Sequence, residues 1–332
     1  MSDYLWDPTS PPDPETERLE RLLRPLRTKT AAPTLPQRTT RWMTPRFLGP
    51  ALAAAAAVLL MVGATWRSDS QQIGWSIASV SGRPQVESIA AREGGRLAVG
   101  QAIVTDDSSR ARIEVESIGA VTIDVNSRVR LVESRDSHQR LALDRGTLHA
   151  QIVAPPGQFV VDTPSARAVD LGCVYTLHVD DDGVGLLSVQ AGWVAFEFKG
   201  REVFVPSGAS ARTVPRAGPG TPRYDDVDQA FQDSLDEVDY GGDAKRTEPS
   251  LEYVLTHARR RDAMTLWHLV SRVDAAHRPA VVDALARLVP MPDGATRDAV
   301  MHLDRAALDG WWNALGLQDA SWWRVWKREY PQ

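Results

Sequence analysis

The sequence predicts a multi-domain protein: a short cytoplasmic tail, one transmembrane helix, an all-β domain built as a solenoid or a sandwich, and a separate α-helical C-terminal domain. Three features of the 332 residues carry that expectation. Phe47 to Trp66, FLGPALAAAAAVLLMVGATW, is twenty residues without a charge. Between residues 74 and 214 apolar and polar residues alternate, the period of a half-buried strand. After residue 223 the apolar spacing becomes helical.

The tail, residues 1–46, opens on a proline-rich run, and Pro14 is the first proline placed to begin a helix. From Glu15 to Leu26, the residues Leu19, Leu22, Leu23 and Leu26 line one face of a short amphipathic helix, the candidate partner-binding face. Glu15, Glu17 and Glu20 favour its start and Arg24 and Arg27 its end, as the helix dipole prefers. A helix this short does not fold alone in water, so it needs a partner to order it. Residues 28–45, with Pro33, Pro36 and several threonines, read as a flexible link.

The run 47–66 would be about 30 Å long as a helix, enough to cross a bilayer core once. Arg18, Arg21, Arg24, Arg27, Lys29, Arg38, Arg41 and Arg46 precede it, whereas Arg67, Arg83 and Arg92 are the first basic residues after it. That asymmetry places the N-terminus in the cytoplasm and the residues after about 67 in the periplasm, with the inner membrane between. No cysteine ends the run and no A-x-A site follows Leu60, so an uncleaved anchor is expected over a lipoprotein or a cleaved signal.

Net charge is -5, which argues against a nucleic-acid partner. The tail's basic residues are interleaved with acids and suit topology and contact with anionic lipid heads. Cys173 is the one cysteine, so the chain has neither an internal disulfide nor a Cys-based zinc site.

In the region 74–214, segments such as Ala111-Arg-Ile-Glu-Val-Glu, Val121-Thr-Ile-Asp-Val, Tyr175-Thr-Leu-His-Val and Val194-Ala-Phe-Glu-Phe alternate, punctuated by Gly100, Gly119, Gly146, Gly172, Gly183, Gly192 and Gly200. Many short strands at such intervals mean an all-β architecture, but with no strict repeat, solenoid and sandwich both stay open.

Leu97-x-x-Gly100-x-x-Ile103-x-Thr105, Ser109-Arg-Ala-Arg-Ile, Gly119-Ala-Val-Thr-Ile-Asp-Val-Asn-Ser-Arg, Leu143-x-x-Gly146-x-x-x-Ala150, Phe159-x-Val-x-Thr163-Pro-x-Ala166 and Val189-x-x-Gly192-x-Val194 follow one another in order. Together they resemble the FecR domain, the periplasmic module of ferric-citrate-type sigma regulators, over about residues 75–214. The resemblance implies a non-enzymatic regulator, with a cytoplasmic sigma factor as partner and an envelope signal at its outer domain. Members acting in iron-siderophore signalling continue into a small α/β domain, whereas this chain continues into helices. Its tail also lacks the Cys and His set of zinc-binding anti-sigma domains.

Residues 215–223, Pro-Arg-Ala-Gly-Pro-Gly-Thr-Pro-Arg, read as a linker by composition. In the helical domain, residues 224–332, helices are expected over Asp225–Val238, Leu251–Arg261, Ala263–Val273, Pro279–Val289, Thr296–Leu303 and Arg305–Leu315, with a shorter one over Ser321–Tyr330. Pro- and Gly-bearing connections such as Pro290-Met-Pro-Asp-Gly294 suit antiparallel hairpins.

No catalytic set, cofactor motif or metal-ligand spacing emerges; H-E-x-x-H, G-x-S-x-G and phosphate-loop patterns are absent. His257 and His268 sit on expected helices as structural histidines, and Cys173 begins an apolar strand as an inert core thiol. Asp180-Asp-Asp-Gly183 lacks calcium-loop spacing and reads as a hairpin turn. Six of eleven tryptophans fall in the helical region, and Trp322, Trp323 and Trp326 beside Arg324, Lys327 and Arg328 form a candidate aromatic docking segment, with core packing as the competing role. A sensor or regulator acting on a sigma factor, and an envelope scaffold that binds protein or cell-wall glycan, both fit these features; an enzyme does not.

Overall fold

The computed structural model describes residues 74–317. Among the described residues, eighteen strands form two sheets. The first runs, edge to edge, through β4 (Arg96–Ala98), β1 (Gly74–Ser81), β6 (Arg110–Val115), β7 (Gly119–Ile123), the second half of β9 (His138–Ile152), β12 (Val174–Val179), β13 (Gly185–Ala191) and β16 (Ala209–Val214). Two short strands, β17 (Gly218–Pro219) and β18 (Arg223–Tyr224), close its far side against β16. The second sheet runs through β3 (Ile89–Ala90), β2 (Gln85–Val86), β5 (Ala102–Val104), β8 (Arg128–Arg135), the first half of β9, β10 (Phe159–Asp162), β11 (Arg167–Asp170), β14 (Trp193–Phe198) and β15 (Arg201–Pro206). All pairings are antiparallel except β9 with β10.

Successive hairpins are dealt alternately: β6–β7 to the first sheet, β10–β11 to the second, β12–β13 to the first, β14–β15 to the second. The strands therefore recur at similar spacing without a repeating sequence, because each face of the chain meets a different neighbour. Of the two expected architectures, this is the sandwich. Trp75 of β1 spans the two sheets, its Nε1 donating to Ser134 Oγ at 3.1 Å and Gln139 Oε1 at 3.0 Å, with its ring 6.2 Å from that of Phe159. Inward residues of both sheets, among them Ile113, Val121, Leu131, Leu141, Leu148 and Leu177, share one apolar core.

Two glycines mark where the chain changes sheet. β9 pairs with β8 as far as Arg145 and with β12 from Gly146 onward. At that corner Gly146 has φ +90°, and a Cβ there would overlap Ser127, so only glycine allows the bend. Gly192, φ +77°, carries the chain from β13 to β14, and a Cβ would run into the Gly172 carbonyl.

Six α-helices follow: α1 (Gln229–Tyr240), α2 (Ala244–His257), α3 (Ala263–Arg272), α4 (Arg278–Leu288), α5 (Arg297–Met301) and α6 (Arg305–Ala314). Asp228, Thr296 and Asp304 cap α1, α5 and α6 by accepting from backbone N–H groups of the first turn. Leu235, Val254, Leu266, Leu269, Val281, Leu285, Val300 and Trp311 form a core of their own.

The expected fold class needs correction. The helices are not a separate domain, because among the described residues they fall in one compact unit with the sandwich. Trp312 of α6 and Met264 of α3 belong to the sandwich core. Residues 215–223 include two strands rather than a free linker, and Gly218 to Tyr224 are buried. Proline interrupts a strand's hydrogen-bond ladder, but here the carbonyls of this segment bind the helices. Pro219 O accepts from Arg272 Nη1 at 2.7 Å, and Pro222 O from Thr265 Oγ1 at 2.9 Å. As for the transmembrane helix, no helix among the described residues is long and apolar enough to cross a membrane. The segment 47–66 on which that expectation rested lies outside the described residues, as do the tail and the short helix expected at Ser321–Tyr330.

Candidate functional site

The sequence-derived candidates, Leu19, Leu22, Leu23 and Leu26 of the tail and Trp322, Trp323 and Trp326 near the C-terminus, lie outside the described residues. The other conspicuous aromatics are core. Trp312 is fully buried, with ring centroids 4.8 Å from Trp267, 5.8 Å from Trp193, 5.8 Å from His268 and 6.0 Å from Phe204. This cluster fastens α3 and α6 onto β14 and β15. His268 is neutral within it, pushed down to about 3 by burial, and Phe204 N–H points at its Nε2 across 3.5 Å. Together with Pro206, which has no N–H, it closes the open edge of β15 to further strand pairing. His257 stacks on Tyr253 at 3.8 Å.

Cys173 is buried, and its thiol donates to Asp170 Oδ2 at 2.8 Å. Gly172 N–H donates to Asp170 Oδ1 at 2.6 Å. Burial pushes the Asp170 carboxyl up to about 7 against the pull of these donors, and burial with the neighbouring Asp170 charge pushes the Cys173 thiol up in turn. A thiol with a raised pKa is a poor nucleophile. The consequence of this pair is for stability. The unfolded chain releases the Asp170 proton near pH 4, while the folded chain keeps it to about 7. Raising pH across that window thus favours unfolding, and the contribution levels off above it. By linkage the loss is about 4 kcal/mol. In Asp170→Asn this component of the slope should vanish in urea unfolding at pH 4 to 8; an unchanged slope would assign it elsewhere.

The described surface offers two adjoining hollows along the seam between hairpin β14–β15 and the helices. The larger, about 650 Å³, is lined by Asp162, Arg167, Glu197, Lys199, Arg201, Glu202 and Arg305 together with Thr163, Ala166, Phe198 and Gly200. A second, about 420 Å³, lies between the end of α1, the start of α2 and the end of α3, with the buried Arg272–Asp239 pair in its wall. Arg201 lines both. In the larger hollow, Asp162 is held by Arg140 at 2.6 Å and Arg167 at 3.2 Å. Glu197 stands opposite Arg167 on one neighbouring strand and Glu202 on the other. Among the described residues no group of three or more His, Cys, Asp or Glu side chains is placed to hold a metal ion. Sequence reasoning missed this cleft. Gly200 was legible as a break after the strand Val194-Ala-Phe-Glu-Phe, but the meeting of that turn with Arg305 depends on α6 packing against the sandwich.

The fold is thus a two-sheet sandwich of alternately dealt hairpins with helices packed on its second sheet. Within it, residues 101–195 match the family described as FecR protein. The matched stretch includes both crossover glycines, Gly146 and Gly192. Two crystal structures of a "putative anti-sigma factor" from Parabacteroides distasonis align at 14% identity and a TM-score of 0.34, covering 40% of this chain and 63% and 62% of theirs. The chain thus spans less than two thirds of either, and a likeness at that level carries no argument. No curated protein matches.

Proposed function

We propose that the protein is a membrane-anchored, non-enzymatic regulator or sensor of the FecR type. Its folded part works on the outer side of the inner membrane, and residues 1–46 reach a cytoplasmic partner, a sigma factor. The observation that carries this reading is the FecR match over residues 101–195. The charge asymmetry around residues 47–66 and the apolar face of Leu19, Leu22, Leu23 and Leu26 support it from the sequence. A signal bound at the folded part would pass inward as a change in how the tail holds its partner, since a ligand shifts an equilibrium only as far as it prefers one state. The placement is tested by fusing alkaline phosphatase after Ser70: activity is expected, and an inactive fusion with an active cytoplasmic reporter at the same site would overturn it.

A further inference from the structure

Among the described residues, five large apolar side chains are markedly exposed: Ile89 at 74%, Val99 at 44%, Val153 at 82%, Val174 at 36% and Leu186 at 40%. The strand register puts the first four at one end of the sandwich, the end at which β1 begins. Val99 follows Ala98, the partner of Gly74 in β1. Glu114 of β6 stands opposite Ser76, so the turn between β6 and β7 is at this end too, and its Ile118 carbonyl accepts from Val153 N–H at 2.7 Å. Val174 opens β12 opposite Gln151, two residues before Val153. Ile89 follows the turn between β2 and β3, where Glu87 N–H donates to the Ala102 carbonyl at 3.3 Å, just past the Val99 turn. Leu186 is the exception, paired with His178 near the other end of the first sheet. The turns at that opposite end carry charge instead: Asp106 and Asp107, Asp181 and Asp182, and Lys199.

We propose that this end of the sandwich sits on the lipid surface of the membrane, with Ile89, Val99, Val153 and Val174 against the headgroup layer. The contact depends on the membrane-anchored reading. Seven residues, 67–73, separate the apolar run 47–66 from Gly74, and extended chain of that length spans at most about 25 Å. Gly74 thus ties this end, and not the charged one, to the bilayer. Apolar side chains gathered at one place mark an interaction surface where scattered ones do not. Four aliphatic side chains are too few to hold a free protein on a bilayer, but so short a tether keeps them at high effective concentration beside it. Two carboxylates beside these turns are engaged by the protein, Glu87 Oε1 accepting from Ala102 N–H at 2.8 Å and Glu116 Oε1 from Ser134 Oγ at 3.1 Å, so neither meets the lipid unpartnered.

The test uses the full-length chain reconstituted in phosphatidylcholine vesicles. A fluorophore is attached in Ile89→Cys, Val153→Cys or Leu186→Cys, and spin-labelled lipid in the vesicles quenches a label that touches the bilayer. Cys173, buried and with its thiol pKa raised, should leave the parent chain unlabelled. Loss of fluorescence is expected at residues 89 and 153 and not at 186. Equal quenching at all three sites, or none at 89 and 153, overturns the proposal. Fluorescence at 153 that responds to protein density in the vesicles but not to spin-labelled lipid assigns the apolar end to a second copy and overturns it as well. Flotation of the same vesicles reads the anchor by itself. A chain left behind refutes anchoring and this contact together, whereas a chain that floats without quenching refutes the contact alone.

Discussion

Trp312→Ala is expected to cost the folded chain about 3–5 kcal/mol, the range for truncating a fully buried tryptophan. Beyond its size, the effect should be global. Trp312 is on α6 but belongs to the sandwich core, touching Trp193 and Phe204 of the second sheet as well as Trp267 and His268 of α3. If sandwich and helices are one unit, far-ultraviolet signals for strand and helix should shift together to lower denaturant, still in one transition. Two transitions, with only the helical signal moved, would restore a separate helical domain.

The second large effect is expected at Asp239. Its carboxylate is buried with Arg272 and also accepts from Thr221 Oγ1 at 2.8 Å. Nearby, Tyr240 donates its hydroxyl to the Arg212 carbonyl at 2.8 Å. Asp239→Ala leaves the Arg272 guanidinium buried without its counter-ion, a loss of about 3–5 kcal/mol. The double variant Asp239→Ala/Arg272→Met should recover much of that loss, because the larger penalty is the stranded charge rather than the missing attraction. Equilibrium urea unfolding of both variants provides the check. A single variant as stable as the parent would show that the pair is not what ties β17 to the helices.

These two sites also explain what the sequence could and could not disclose. Strand alternation from 74 to 214 and helical spacing after 223 are local properties, set by which face of each element is buried, and both are visible in a single chain. The sheet assignment is not local. Gly146 could be seen as a turn residue, but not as the corner at which one strand serves two sheets, because that requires knowing where Ser127 lies. Residues 215–223 misled for a related reason. Pro and Gly in a free linker and Pro and Gly in tight, buried turns look alike until Arg272 and Thr265 are known to bind their carbonyls. Trp311 and Trp312 could be core or docking surface on spacing alone, and the second sheet, absent from any helical window, decides that Trp312 is core. The cleft is the extreme case: Lys199, Arg201 and Arg305 have no pattern in common until α6 is seated.

The most direct test of the regulatory reading is in-cell crosslinking of the full-length chain, with mass spectrometry identifying what is joined to residues 1–46. The account predicts a sigma factor among those crosslinks, lost in Leu22→Asp/Leu23→Asp while the chain stays in the membrane fraction. A tail that crosslinks to no sigma factor, or one that holds it equally well after both leucines are replaced, would contradict it.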